Sequence, residues 1–146
     1  MDTLVLGASG ALGRPLTRRL LARGLRVRAA CRHPQALADL ATLGAEAMAV
    51  DLVDPASLQR ACRGMQAVVM AAHGFMGRGR WRSEAVDDAG VRRLVEVARA
   101  SGVQRFVYCS AFGARTDHPV DFFATKAAVE AGLRDSGMPH LVLRPT

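Results

Sequence analysis

Lysine is almost missing from this sequence: of its 20 basic residues only Lys126 is a lysine, the rest being arginine. Tyrosine and tryptophan occur once each, as Tyr108 and Trp81, and aromatics make up 5% of the chain. No apolar run approaches the roughly 20 residues of a membrane-spanning helix. No charged start followed by a long apolar stretch marks a secretion signal. Cysteine is scarce too. Cys31, Cys62 and Cys109 are odd in number, each lies in or beside an apolar segment, and no metal-ligand or redox spacing joins them. That leaves no disulfide framework and no metal site, and it reads as reduced core thiols in a cytoplasmic protein.

What is present is ordinary globular composition, half apolar and 23% charged, in 146 residues that fit one domain. The net charge of +7 would by itself suggest a nucleic-acid partner. The abundance of Arg and Ala instead reads as compositional drift that exchanges one solvated cation for another. "GRGRWR" at 77–82 has the ingredients to hold phosphates through Arg78, Arg80 and Arg82 and to stack a base on Trp81. A solvated loop is the plainer reading, so no nucleic-acid partner is expected.

Along the chain, apolar runs alternate with helical spacings. Strands are predicted at 3–8, 26–31, 45–52, 65–72, 105–111 and 140–145. Between them lie helices at 11–24, with Leu12, Leu16 and Leu20 on one face, and near 34–42. A third helix follows Asp54-Pro55, a good N-cap before a helix-opening proline. Two more are predicted at roughly 83–101, with Val86, Leu94, Val97 and Ala98 as core contacts, and at 121–136. Residues 74–82 read as a loop. Six apolar strands separated by helices imply an α/β fold, a doubly wound parallel sheet of about six strands with helices on both faces.

The first turn, "GASGALG" at 7–13, sets Gly7, Gly10 and Gly13 between a strand and a helix. Gly7 permits a tight turn, Gly10 lets a phosphate approach the main chain, and Gly13 lets the helix pack closely. The helix N-terminus adds N–H donors and a partial positive charge, which suits the pyrophosphate of a dinucleotide. A methyltransferase also uses such a turn, but it would want an acid at the end of the second strand. "ACRHP" has Arg32 there instead, and Arg14 sits just after the last glycine. Two guanidiniums near the adenosine ribose suit a 2′-phosphate, so NADP(H) is preferred over NAD(H).

With "GASGALG", "RVRAACRHP", "VDLVDPASL", "AVVMAA", "VQRFVYCSAFGA" and "KAAVEAGLRDSGMPHLVLRPT", the chain resembles the NmrA-like group of atypical short-chain dehydrogenases/reductases along essentially its whole length. The resemblance implies an NAD(P)-binding Rossmann domain, serving a reductase of quinone-like or other carbonyl molecules, or a non-catalytic redox sensor or regulator. A homo-oligomer or a regulatory protein partner would suit either role. By position it implies a phosphate loop of Gly7, Ala8, Ser9, Gly10, Ala11, Leu12 and Gly13, with Arg32 on the 2′-phosphate. It places Asp51 and Leu52 beside the adenine and Ala71, Ala72 and His73 along the ribose and nicotinamide. It also puts Ser110 and Ala111 at the active-site serine, and Lys126 on the nicotinamide ribose, so Ser110 and Lys126 are the catalytic candidates.

Two departures stand out. Reductases of the wider superfamily carry Tyr-x-x-x-Lys, in which the phenol protonates the substrate oxygen. Here Phe122 stands four before Lys126, and Tyr108 falls inside a strand as a core residue. Glu130, one turn after Lys126, is placed to pair with it. His73 and His118 are the titratable groups near the expected pocket, and a loop histidine is the commoner reading of each. The second departure is "LRPT" at 143–146, where the family normally continues into a segment that covers the substrate. The expectation is a cofactor half alone, either a fragment or a shortened chain completed by another subunit.

Overall fold

The structure, a computed structural model, describes residues 1–73 and 84–146, with side chains from 87 onward in the second stretch. The loop expected at 74–82 and the side chain of Val86 lie outside the described residues.

The expected strands form β1 (Asp2–Leu6), β2 (Arg26–Cys31), β3 (Glu46–Ala49), β4 (Ala67–Met70), β5 (Arg105–Cys109) and β6 (His140–Leu143). They pair in parallel throughout, in the order β3-β2-β1-β4-β5-β6. Strands β1 and β4 are buried along nearly their full length, which explains their unbroken apolar runs. The order reverses between β1 and β4, and a doubly wound sheet opens a crevice at such a reversal, beyond the strand ends.

The helices are α1 (Gly13–Ala22), α2 (Ala38–Thr42) after a 3-10 turn at Pro34–Leu37, α3 (Pro55–Cys62), α4 (Val91–Ala100) and α5 (Asp121–Asp135). Asp54 caps α3 as its sequence suggests, its carboxylate accepting from Ala56 N at 3.0 Å ahead of Pro55. One core lies under α3, α4 and α5, with Leu58, Leu94, Ala98 and Leu133 against Phe106, Val68 and Leu4. The other lies under α1 and α2, where Leu37 and Leu40 meet Val5, Val27 and Ala29.

The single helix expected at 83–101 is instead two-part, a π-helical stretch at Glu84–Gly90 running into α4. A π turn widens the helix and re-aims its side chains, and apolar spacing alone does not reveal it. Leu12 also differs from expectation. It precedes α1 and is exposed, while Leu16 and Leu20 pack against the core as anticipated.

Candidate functional site

The turn after β1 is built on contacts that only glycine allows. Gly7 has φ +81°, and a Cβ there would lie 2.6 Å from Ala72 N and 2.9 Å from the Ala71 carbonyl carbon. A Cβ on Gly13 would overlap the Gly7 carbonyl. The loop is therefore clamped between the end of β4 and the start of α1, which brings Gly7, Ala71, Ala72 and Gly13 together. Gly10 is looser, its added Cβ 3.2 Å from Gly7 O. Gly10 N donates to Gly7 O and Arg14 N to Gly10 O, whereas the N–H groups of Ser9, Ala11, Leu12 and Gly13 find no backbone acceptor among the described residues. Ser9, Gly10, Ala11 and Leu12 are exposed and Ala8 is buried. The outcome is an open concavity of main-chain donors at a helix start, suited to an anion.

Around it stand the ends of β2, β3 and β4. Arg32 follows β2 and is exposed. Arg14 is already engaged, its guanidinium on the Asp39 carboxylate and, at 2.7 Å, on Ala36 O. Arg18 shares Asp39 at 2.7 Å, and the two arginines hold the Asp39 carboxyl down at about 2. The structure thus uses Arg14 to tie α1 to α2, while Arg32 stands exposed just past the end of β2. Beyond β3, Asp51 Oδ1 accepts from Val53 N at 3.1 Å and Leu52 enters the core. After β4, exposed His73 stands edge-on to Phe122, ring centroids 6.5 Å apart.

The deepest polar groups gather under the ends of β4, β5 and β6. Lys126 of α5 is 4% exposed, and its Nζ donates to Cys109 O at 3.1 Å. The ammonium lies 4.9 Å from the Tyr108 ring centroid and 5.5 Å from that of Phe122. Burial pulls the Lys126 amine below its usual range, opposed by the negative charge of Asp87. Tyr108 is sealed in the core, as expected, and its hydroxyl has no hydrogen-bond partner among the described residues. Burial, followed by the charges of Asp87 and Glu130, drives its phenol far above the ordinary range, so Tyr108 keeps its proton.

Glu130 does not pair with Lys126 as its spacing suggests. Ser110 Oγ donates to Glu130 Oε1 at 2.5 Å, and Arg144 grips both carboxylate oxygens, Nε to Oε1 at 2.9 Å and Nη2 to Oε2 at 2.5 Å. Burial raises the Glu130 carboxyl, but hydrogen bonds from Arg144 and Ser110 outweigh it and the carboxyl is held below its usual value. The ammonium chooses the strand-end carbonyl because α5 lays Lys126 across the tip of β5 and turns Glu130 toward the chain after β6. His118 packs its ring on Phe123 at 4.4 Å and accepts from Val120 N at 3.0 Å, capping the approach to α5. Ala111 lies beside Ser110, half-buried.

Asp87, Arg144 and Asp39 were not among the candidates. Asp87 carried a usable signal: it shares the spacing of buried Val91, Leu94 and Ala98, and an acid on an apolar stripe calls for a partner. Arg144 and Asp39 gave none, because their roles depend on which strand ends the sheet brings together.

A parallel sheet in this order, with a glycine-clamped cradle of main-chain donors where the order reverses, is a Rossmann-type nucleotide-binding domain. The main-chain donors of the cradle are chemically suited to the phosphates of a dinucleotide. The sequence model of the family described as NAD(P)H-binding matches residues 7–146, and the chain belongs to that family, among relatives of the atypical short-chain dehydrogenase/reductase type. It is 41% identical over 116 residues to sterol demethylase protein B of Methylococcus capsulatus, covering 78% of this chain and 35% of that protein. Over 141 residues it is 31% identical to the ceramide reductase of Caulobacter vibrioides, covering 97% of this chain and 44% of that one. A short-chain dehydrogenase/reductase superfamily protein from Agrobacterium tumefaciens, solved with bound NAD, superposes with a TM-score of 0.81 at 30% identity, over 99% of this chain and 48% of that one. The chain spans less than half the length of these relatives.

Among the described residues no helix is long and apolar enough to cross a membrane.

Proposed function

We propose that the protein is an NADP(H)-dependent oxidoreductase that reduces a quinone-like or other carbonyl small molecule. The observation that carries this reading is the glycine-clamped cradle after β1, with a buried lysine at the tip of β5, two strands along the same sheet. The dinucleotide, when bound, supplies hydride chemistry. The chain supplies the rest. Main-chain N–H groups of Ser9, Ala11, Leu12 and Gly13 hold phosphate, and the exposed guanidinium of Arg32 receives the 2′-phosphate that distinguishes NADP(H). Lys126, fixed through Cys109 O, would hold the nicotinamide ribose. The reductase named among the relatives, and the NAD-bound structure, support a reductase over other uses of the fold.

A second reading is a sensor that binds NADP(H) without turnover. The specific observation favouring it is Phe122 in the place of a proton-donating tyrosine, while Tyr108 is sealed and holds its proton. Cofactor fluorescence titration tests the shared part. NADPH should bind more tightly than NADH, and Arg32→Glu should weaken NADPH by about tenfold or more while leaving NADH nearly unchanged. Equal binding of the two cofactors with no effect of the variant overturns the NADP(H) assignment, and no binding of either overturns the whole reading. Turnover against a panel of quinones then decides between enzyme and sensor.

A further inference from the structure

The hydroxyl of Ser110 carries one proton, and the structure shows where it goes. The Glu130 carboxylate is 3% exposed and accepts two hydrogen bonds from the Arg144 guanidinium, a pairing that requires the ionised form. An ionised carboxylate only accepts, so the 2.5 Å contact with Ser110 Oγ is a hydrogen bond donated by the serine. The strand end is fixed as well, since Ser110 N donates to Leu143 O at 2.8 Å, one residue before Arg144. Oγ therefore has lone pairs, and no proton, for anything else that reaches it.

We infer that Ser110 acts in this site as a hydrogen-bond acceptor, that Glu130 and Arg144 are positioning residues that hold it so, and that the group it recognises is the carboxamide N–H of the nicotinamide. The inference rests on the dinucleotide reading above and assigns Ser110 a role opposite to that of a donor stabilising a substrate oxyanion. Lys126 stands next to it: its Nζ donates one of the ammonium's three protons to Cys109 O, one residue before Ser110. With both polar groups at the tip of β5 oriented by protein partners, a ligand meets an acceptor at Ser110 whatever its own preference.

The test compares NADPH with the reduced dinucleotide whose nicotinamide carboxamide is replaced by acetyl, which keeps the carbonyl and loses the N–H. Wild-type protein should bind NADPH roughly five- to tenfold more tightly than the acetyl analogue, the worth of one such hydrogen bond. Ser110→Ala should bring the two affinities together by weakening NADPH alone. Glu130→Gln, whose amide can donate to Oγ and free the hydroxyl proton, should reduce or reverse the preference, while circular dichroism reports whether that buried change leaves the fold intact. Should Glu130→Gln fail to fold, Ser110→Ala decides by itself, since it removes only a hydroxyl. The ratio of affinities is a readout that mere loosening of the structure would not shift. Equal wild-type affinities, or an unchanged ratio in Ser110→Ala, overturns this inference alone. Absence of dinucleotide binding overturns the reading beneath it, and this one with it.

Discussion

At the scale of single residues, Lys126 shows how much one position can be asked to do. An ammonium costs several kcal/mol to bury, and here it is repaid by one carbonyl, two aromatic faces and the charge of Asp87. Such a group is kept for its charge rather than its stability. Lys126→Met, which preserves the stem and discards the ammonium, should therefore unfold in urea within about 1–2 kcal/mol of wild type, in either direction. On the proposed placement of the ribose, the same variant should bind NADPH about tenfold or more weakly by fluorescence titration, because a desolvated cation there is lost. A large loss of stability with unchanged binding would make Lys126 a packing residue. The glycines divide in the same way: Gly7 and Gly13 are fixed by outright clashes with the protein's own backbone, whereas at Gly10 an added Cβ would meet only Gly7 O, at 3.2 Å.

At the scale of elements, the strands and most helices were legible because each is specified locally. Apolar runs, the Asp54-Pro55 signal and the spacing of Leu94 and Ala98 depend on neighbours within a few residues. That locality gives a clean expectation for α3. Asp54→Ala should cost about 1 kcal/mol in urea unfolding, through loss of the bond to Ala56 N, and leave dinucleotide binding unaltered. The cradle was equally legible, since seven consecutive residues build it. The polar cluster beneath β5 was read only in part. Ser110 and Lys126 could be nominated from the family resemblance, and Lys126 also as the one lysine of the sequence, but their partners could not. Glu130 prefers Arg144 over its helical neighbour Lys126 because β6 delivers a guanidinium to it, a fact held in sheet order rather than in spacing. The partner of Arg14 was hidden for the same reason: Asp39 reaches it only once α1 and α2 lie side by side. The π turn that aims Asp87 inward is likewise invisible to a count of apolar positions.

At the scale of the whole molecule, two carboxylates tie distant elements together, Asp39 joining α2 to α1 and Glu130 joining α5 to the ends of β5 and β6. Both titrate below their ordinary values in the folded state. The unfolded chain therefore takes up protons first as pH falls, so their stabilisation is complete above the ordinary carboxylate range and drains away below it. For Asp39 that window runs from 3.8 down to about 2. Thermal unfolding should show a midpoint steady near neutrality and falling through this window. Asp39→Asn should melt a few degrees below wild type at pH 7, with the gap closing as pH approaches 2. A gap that stays constant with pH would mean that Asp39 acts through packing and not through its charge.

The scarcity of lysine has a practical outcome. Amine-directed reagents find a single side-chain target in this sequence, and the fold encloses it between two rings and a strand tip. That enclosure slows acylation of the one amine, so its rate follows the opening of α5 from β5, supplied by composition without any engineered label.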